Sequence, residues 1–279
     1  MGILISTEDC SSEIKTRLLQ KEKLLKSEGI DFFVTENQED SFSLFEIDFD
    51  KKSYKHYFYR LLAGIIAEVV VDKLEEKIIK KILRSKYKKF TKTELDKIEK
   101  RSLQYLNVIT GKNNIFFSKF IRKEELVKNL MSYLEKYDDI NVEGFVRFRL
   151  KDYTYKLQLA IERAVDEYMM EKEYYDFIEL LKYFVDLQEP RVERVDIIRN
   201  RDGSYVILDS DGKEIGNEYM ENYLKEISDG KIEYEDLLIS ALINIVPANI
   251  YLHFAEKDII ETLRNIFGNK IKIGQKYEN

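Results

Sequence analysis

Only two prolines, Pro190 and Pro247, interrupt 279 residues, and glycine occurs 11 times. A chain so poor in helix breakers, with 35% charged residues, favours long amphipathic helices over turn-rich β architecture. Its 44% hydrophobic content is enough to bury a substantial core as one large unit or two smaller ones. The single Cys10 permits neither an intramolecular disulfide nor a cysteine metal cluster, which suits a reducing compartment. A cytoplasmic location is the corresponding expectation.

The hydrophobic period changes twice along the chain. Ile3 to Ser6 has the pattern of a strand, Ser11 to Lys26 that of a helix capped by Ser11 or Ser12 and ended by Gly29. Phe32 to Thr35 and Ser43 to Phe49 then read as strands joined by a turn at Asn37 to Ser41, giving a small β-α-β-β module over residues 1–52. From Tyr54 to Leu187 a helical period dominates, with Leu61, Ile65, Ile66, Val69, Val70, Leu74, Ile78, Ile82 and Leu83 on one face of a long helix. Further helices are expected at Thr93 to Leu106, at Ser118 to Tyr137 and as a pair between Gly144 and Leu187, with joints at Gly111 to Asn114 and Asp138 to Asn141.

Pro190 closes this helical domain, residues 53–190, because the residue before a proline is biased out of the helical region. Strand signals return in Val192 to Arg199 and Ser204 to Leu208, which flank the turn Asn200-Arg201-Asp202-Gly203, and Ser210-Asp211-Gly212 marks a second turn. Helices at Asn217 to Ile227, Tyr234 to Ile245 and Lys257 to Phe267 alternate with strands at Ile250 to Phe254 and Lys270 to Ile273. Residues 191–279 thus read as a C-terminal α+β domain whose last two strands, joined through a helix, pair in parallel. The fold class expected is α+β with a predominantly helical middle.

No membrane-spanning segment is expected. Leu61 to Val71 is far short of the ~20 residues a spanning helix needs and contains Glu68. Leu237 to Phe254 holds Asn244, Pro247 and Asn249 in its middle, where a spanning helix would strand polar groups in hydrocarbon. Both read as core. The opening Met1 to Thr7 has no basic flank and runs into Glu8 and Asp9, the signature of a first strand rather than a signal peptide.

Charge is distributed unevenly. Residues 51–101 hold 16 Lys or Arg against 7 Asp or Glu, whereas the whole chain carries −6. Within them Lys77, Lys80, Lys81, Arg84, Lys86, Lys88 and Lys89 follow one another with no acid between, and Tyr87 and Phe90 are interleaved. Such a run can contact phosphates by releasing counterions, or it can be a solvated helix face that meets the acidic remainder of the chain. Arg147, Arg149 and Lys151 form a second group, alternating with apolar residues, that could grip an anion or pair with Glu143, Glu162 or Asp166. Lys77, Lys80, Lys81, Arg84, Lys88, Lys89, Arg147 and Arg149 are therefore the candidate anion or nucleic-acid contacts.

Catalytic and cofactor chemistry has weaker support. Glu162 and Asp166, and Glu167 and Glu171, share helix faces at i, i+4, a spacing suited to a metal or an acid–base pair, yet no Glu-x-x-His accompanies them. Lys156, Arg163 and Lys172 stand close enough in sequence to pair with them. His56 and His253 are far apart and read as isolated residues, each with an ordinary hydrogen bond. No Gly-x-Ser-x-Gly elbow, Walker loop or Gly-x-Gly-x-x-Gly occurs. No catalytic residue, metal or cofactor is assigned from the sequence.

Four segments together carry a family resemblance: FVRFRLKDY at Phe145 to Tyr153, AVDEY at Ala164 to Tyr168, YYDFIELLKYFVDLQEP at Tyr174 to Pro190, and YEDLLISALINIVPANIYLH at Tyr234 to His253. With Ile259 to Ile273 they resemble the YtxC-like family of endospore-forming bacteria. Relatives often end in a short cysteine-rich tail; residues 274–279 hold no cysteine, so no metal or redox role tied to such a tail carries over. The resemblance implies an association with sporulation and no reaction. A non-enzymatic interaction protein is the first reading, a nucleic-acid-binding accessory the second, and a metal-dependent hydrolase the third. The third requires the acids of residues 162–171 to lie in a pocket.

Overall fold

The computed structural model describes residues 2–49, 51–107, 119–215 and 233–274, and the chain divides into two compact units, Met1–Met169 and Met170–Asn279. The protein is α+β with a helical middle. The expected helix at Asn217 to Ile227 and the joint at Gly111 to Asn114 lie outside the described residues.

The first unit opens with β1 (Ile3–Thr7), α1 (Ser11–Ser27), β2 (Phe32–Glu39) and β3 (Phe42–Phe49). The hairpin β2–β3 turns at Asp40 and Ser41, tighter than the Asn37–Ser41 loop expected, because Asp40 adopts a positive φ of 51°. Gly29, at φ 75°, lets the chain leave α1, and Ile30 N–H returns to the Leu25 carbonyl at 3.0 Å. Capping at the front of α1 differs from expectation. Neither Ser11 nor Ser12 occupies the cap; Cys10 does, without a side-chain bond, and its N–H donates to Thr7 Oγ1 at 3.1 Å.

Four helices of the middle follow: α2 (Lys51–Val69), α3 (Glu75–Lys86), α4 (Lys92–Asn107) and α5 (Lys119–Leu134). The expected single long helix is instead α2 and α3 joined by a π turn, Val70–Leu74. A π turn holds an extra residue, which rotates the buried face. Ile79 and Leu83 are buried beyond it while Ile78 and Ile82 are only half-buried. Glu68 and Asp72, the acids that interrupt this apolar stretch, are held by α1 and α5. Arg17 bonds both, at 2.5 and 2.6 Å, Lys123 bonds Glu68 at 2.5 Å and Lys119 bonds Asp72 at 2.6 Å. Thr91 caps α4: its Oγ1 accepts from Glu94 N–H at 3.3 Å, and Glu94 accepts from Thr91 N–H at 2.7 Å.

The segment expected as a joint at Asp138 to Asn141 is a strand, β4 (Asp139–Asn141). It pairs in parallel with β1, completing a sheet of order β2-β3-β1-β4. Asn141 then caps α6 (Val142–Arg149), accepting from Gly144 N–H at 2.6 Å, and α7 (Lys151–Leu187) begins two residues later.

The second unit takes the end of α7 and builds β5 (Val192–Arg199), β6 (Tyr205–Leu208), β7 (Glu214–Ile215), α8 (Tyr234–Ile245), β8 (Pro247–Leu252), α9 (Lys257–Phe267) and β9 (Ile271–Ile273). Gly203, at φ 93°, allows the β5–β6 turn. Strand order is β7-β6-β5-β8-β9, with β8 parallel to both β5 and β9. The expected core helices at Leu61 to Val71 and in α8 are buried as expected. No helix among the described residues is long and apolar enough to cross a membrane.

Candidate functional site

Sequence places the cations of residues 77–89 on one run, but the fold divides them. Lys77 donates to the Asp9 carbonyl and lies 3.7 Å from its carboxylate. Lys80 bonds Glu76 at 2.5 Å and approaches Glu99 at 3.4 Å, and the Glu76 contact raises the basicity of its amine. Those two are occupied by acids of the same unit. Lys81, Arg84, Lys86 and Lys88 are exposed, and Lys89 lies 5.4 Å from the Phe90 ring.

Lys77 and Lys81 of the first basic group and Arg147 of the second, more than sixty residues apart, line one hollow of about 620 Å3. The face of α3 that the π turn leaves half-buried supplies its apolar floor through Ile78 and Ile82, with Lys77 and Lys81 above them. Across the hollow α6 supplies Val146 and Arg147, and α7 supplies Thr154 and Gln158. Arg147 packs over the Phe148 ring at 5.2 Å. Three acids also line it. Of these Glu143 accepts from the Thr7 hydroxyl at 2.6 Å and from Asp9 N–H at 3.1 Å, and Asp9 is turned to Lys77, so both serve the fold.

Arg149 does not join them. It lies over Tyr133 and Tyr137, 5.7 and 6.0 Å from their rings, and lines a separate hollow of about 560 Å3 with Lys151, Lys128 and Lys156. Phe145 to Arg149 lies in helix α6, where Arg147 and Arg149, two positions apart, line different hollows. The convergence of three cations expected from alternation therefore does not occur.

Two of the three cations expected beside the acids of α7 also engage groups on other helices. Lys156 bonds Glu125 at 3.0 Å, and Arg163 stacks on Tyr105 at 4.5 Å. Glu167 accepts from the Tyr105 hydroxyl and lies 3.4 Å from Arg101. Glu162, Asp166 and Glu171 are exposed, and none of them lines the hollows of α3, α6 and α7 described above. No three His, Cys, Asp or Glu among the described residues come together as metal ligands would. Burial, with Glu143 nearby, pushes the Cys10 thiol up to about 12, which keeps it out of thiolate chemistry at neutral pH.

His253 follows β8 in the second unit. Its Nε2–H donates to Asp196 Oδ1 at 2.7 Å, and Arg194 holds the same carboxylate through two bonds of 2.7 and 2.8 Å. These bonds, that from Arg194 first, hold Asp196 below the usual aspartate range. Arg194 in turn lies 4.1 Å from the Tyr251 ring. Gly274 covers the imidazole so closely that a Cβ there would stand 2.4 Å from His253 Cε1. The arrangement is a closed, hydrogen-bonded core pair.

A third surface belongs to the same unit. Tyr174, Phe177 and Leu181 of α7 face Ile239 and Ile243 of α8 and Ile266 of α9 across an apolar hollow of about 640 Å3. Beside it, α7 exposes Leu180, Tyr183, Phe184 and Leu187.

Comparison with known families decides the identification: the model of the YtxC-like family matches residues 60–272. The chain belongs to the YtxC-like family. It is 26% identical over 159 residues to a Bacillus subtilis (strain 168) relative named "Uncharacterized protein YtxC", a match covering 56% of this chain and 55% of that relative. The chain thus matches little more than half the length of that relative. No solved structure matches it. Within the YtxC-like match, the Lys81–Arg147 hollow and the apolar surface of α7 were both missed in the sequence. Neither has a local motif; the first needs α3 and α6 brought together, and the second requires knowing which side of α7 the sheet covers.

Proposed function

We propose that this YtxC-like chain is a non-enzymatic protein of the sporulating cell that acts by binding another protein. The observation carrying this reading is the exposed apolar side of α7, where Phe177, Leu180, Phe184 and Leu187 are each at least half exposed. Large apolar side chains concentrated on one helix face are how protein-binding surfaces are built, since desolvating them supplies the main favourable term of association. The association with sporulation that the family resemblance implies supplies the process.

The test is complementation in a spore-forming host lacking the gene. Phe184→Asp is expected to abolish the restored phenotype in protein that still folds, whereas alanine at Glu162, Asp166, Glu167 or Glu171 is expected to preserve it. Loss of function on Glu162→Ala or Asp166→Ala, with folding intact, overturns the non-enzymatic reading and brings a metal-assisted hydrolase forward.

The second reading is nucleic-acid binding, favoured by the exposure of Lys81, Arg84, Lys86 and Lys88. It predicts a log affinity falling with log salt by about 0.9 for each phosphate neutralised on duplex DNA. Charge reversal at Lys81, Arg84, Lys88 and Lys89 is expected to lower both the affinity and that slope. A flat salt titration, or no binding at low salt, removes it.

A further inference from the structure

Phe177, Leu180, Phe184 and Leu187 recur along α7 at spacings of three, four and three, and Met170 stands one heptad before Phe177. All five are between 50 and 71% exposed. The seam by which α7 joins its own unit is a different one, through Ile178 and Val185, which are buried in the core around β5 and β8. The helix therefore carries two apolar seams, and among the described residues only the second is covered, with Phe177 at the rim of the hollow shared with α8 and α9.

Resting on the interaction reading above, we propose that the exposed seam pairs with the same seam of a second copy, α7 against α7 and antiparallel. A 3-4-3 apolar spacing is the pattern by which one helix seats its side chains in the holes of another. The order of sizes is Phe, Leu, Phe, Leu. Reversed against itself, that order sets each phenylalanine opposite a leucine, so the seam is complementary to its own two-fold copy.

Charge selects the same arrangement. Glu173 takes the heptad position between Met170 and Phe177, and Asp176 flanks the same end. Side by side in parallel, each would meet its own copy; antiparallel, the two Glu173 carboxylates lie on the order of 27 Å apart, beyond a Debye length. The area is that of a small interface. Half the surface of Phe177, Leu180, Tyr183, Phe184 and Leu187, the residues opposed about the two-fold, comes to roughly 500 Å2 per copy, which suits a weak, reversible dimer.

The experiment is sedimentation or light scattering on the full chain at about 50 µM, where a micromolar dimer is well populated. Wild type is expected at twice the monomer mass, and Phe184→Asp at the monomer mass with unchanged circular dichroism and melting, its self-association weakened about 100-fold. A wild-type monomer at that concentration, or a dimer that survives both Phe184→Asp and Leu180→Asp, overturns the proposal. Orientation is read by oxidation: Phe177→Cys with Leu187→Cys is expected to give a covalent dimer, and efficient cross-linking of Leu187→Cys alone overturns the antiparallel order. The two readings separate cleanly. A monomeric wild type whose Phe184→Asp variant still fails to complement ends the self-pairing and supports a different protein partner. Full complementation by a Phe184→Asp variant that has lost its dimer supports the self-pairing and ends its link to function.

Discussion

Arg122→Ala is expected to remove about 3–5 kcal/mol from the stability of the first unit. Arg122 and Glu75 are each only 2% exposed, and the guanidinium grips the carboxylate with two bonds, Nε to Oε1 at 2.7 Å and Nη2 to Oε2 at 3.0 Å. Nη1 donates to the Leu106 carbonyl, and Nη2 donates a second bond to Asn107 Oδ1 at 3.2 Å, so the fork satisfies the end of α4 as well. Tyr153 of α7 donates its hydroxyl to the same Glu75, and burial, followed by the charge of Glu75, raises that hydroxyl's pKa far above the phenol range. Truncating Arg122 leaves a carboxylate buried among four helices with only a phenol for company, and that unpaired charge is what costs stability. Urea unfolding monitored by near-ultraviolet circular dichroism checks it. The triple change Arg122→Met, Glu75→Leu and Tyr153→Phe removes the charge with its partners and is expected to recover most of the loss; a single Arg122→Ala variant within about 1 kcal/mol of wild type sinks the account.

In the second unit Asp196→Asn is expected to cost about 3 kcal/mol at neutral pH and to change how stability responds to acid. Asp196 is nearly buried and bonded by both Arg194 and His253, which hold its pKa below the ordinary aspartate value. A depressed folded-state pKa means the unfolded chain binds the proton more readily. The contribution of Asp196 is therefore complete above the ordinary aspartate range near 4, and it is lost as pH falls through the depressed value. An asparagine cannot titrate, so the variant should be less stable than wild type at pH 7 and should converge on it as pH falls below the ordinary aspartate range and through the depressed value. Unfolding midpoints measured at several pH values decide it; a constant gap between the two proteins across that range contradicts the linkage.

The elements of this chain were legible because their causes are local. Gly29 after α1 and Asn200-Arg201-Asp202-Gly203 between β5 and β6 each involve residues a few positions apart, and those elements stand where the signals put them; the apolar period of residues 61–83 gave helix correctly but not the π turn that splits it. Even the parallel pairing of β8 and β9 follows from a strand, a helix and a strand in succession. Long-range pairing had no such signal. Asp139–Asn141 looks like a joint because three residues are too few to show alternation, and only β1, more than 130 positions earlier, gives it a partner. The parallel contact of β5 with β8 likewise joins segments separated by a hairpin and a helix.

Side-chain constellations divide in the same way. Sequence alone determined that the chain is α+β, that residues 77–89 are basic without an intervening acid, and that Leu61 to Val71 and α8 are core, since composition and period set those by short-range propensity and the need to bury apolar surface. Tertiary structure decided which cations keep their charge available: Lys77 and Lys80 are taken by Asp9 and Glu76, while Lys81 meets Arg147 across a hollow no spacing could announce. It also decided that Arg122 seeks Glu75 47 positions away, and that α7 buries Ile178 and Val185 while leaving Phe177 and Phe184 in solvent. The physical reason is that periodicity fixes the angle between residues on one helix, whereas which angle faces protein and which faces water depends on what packs beside it.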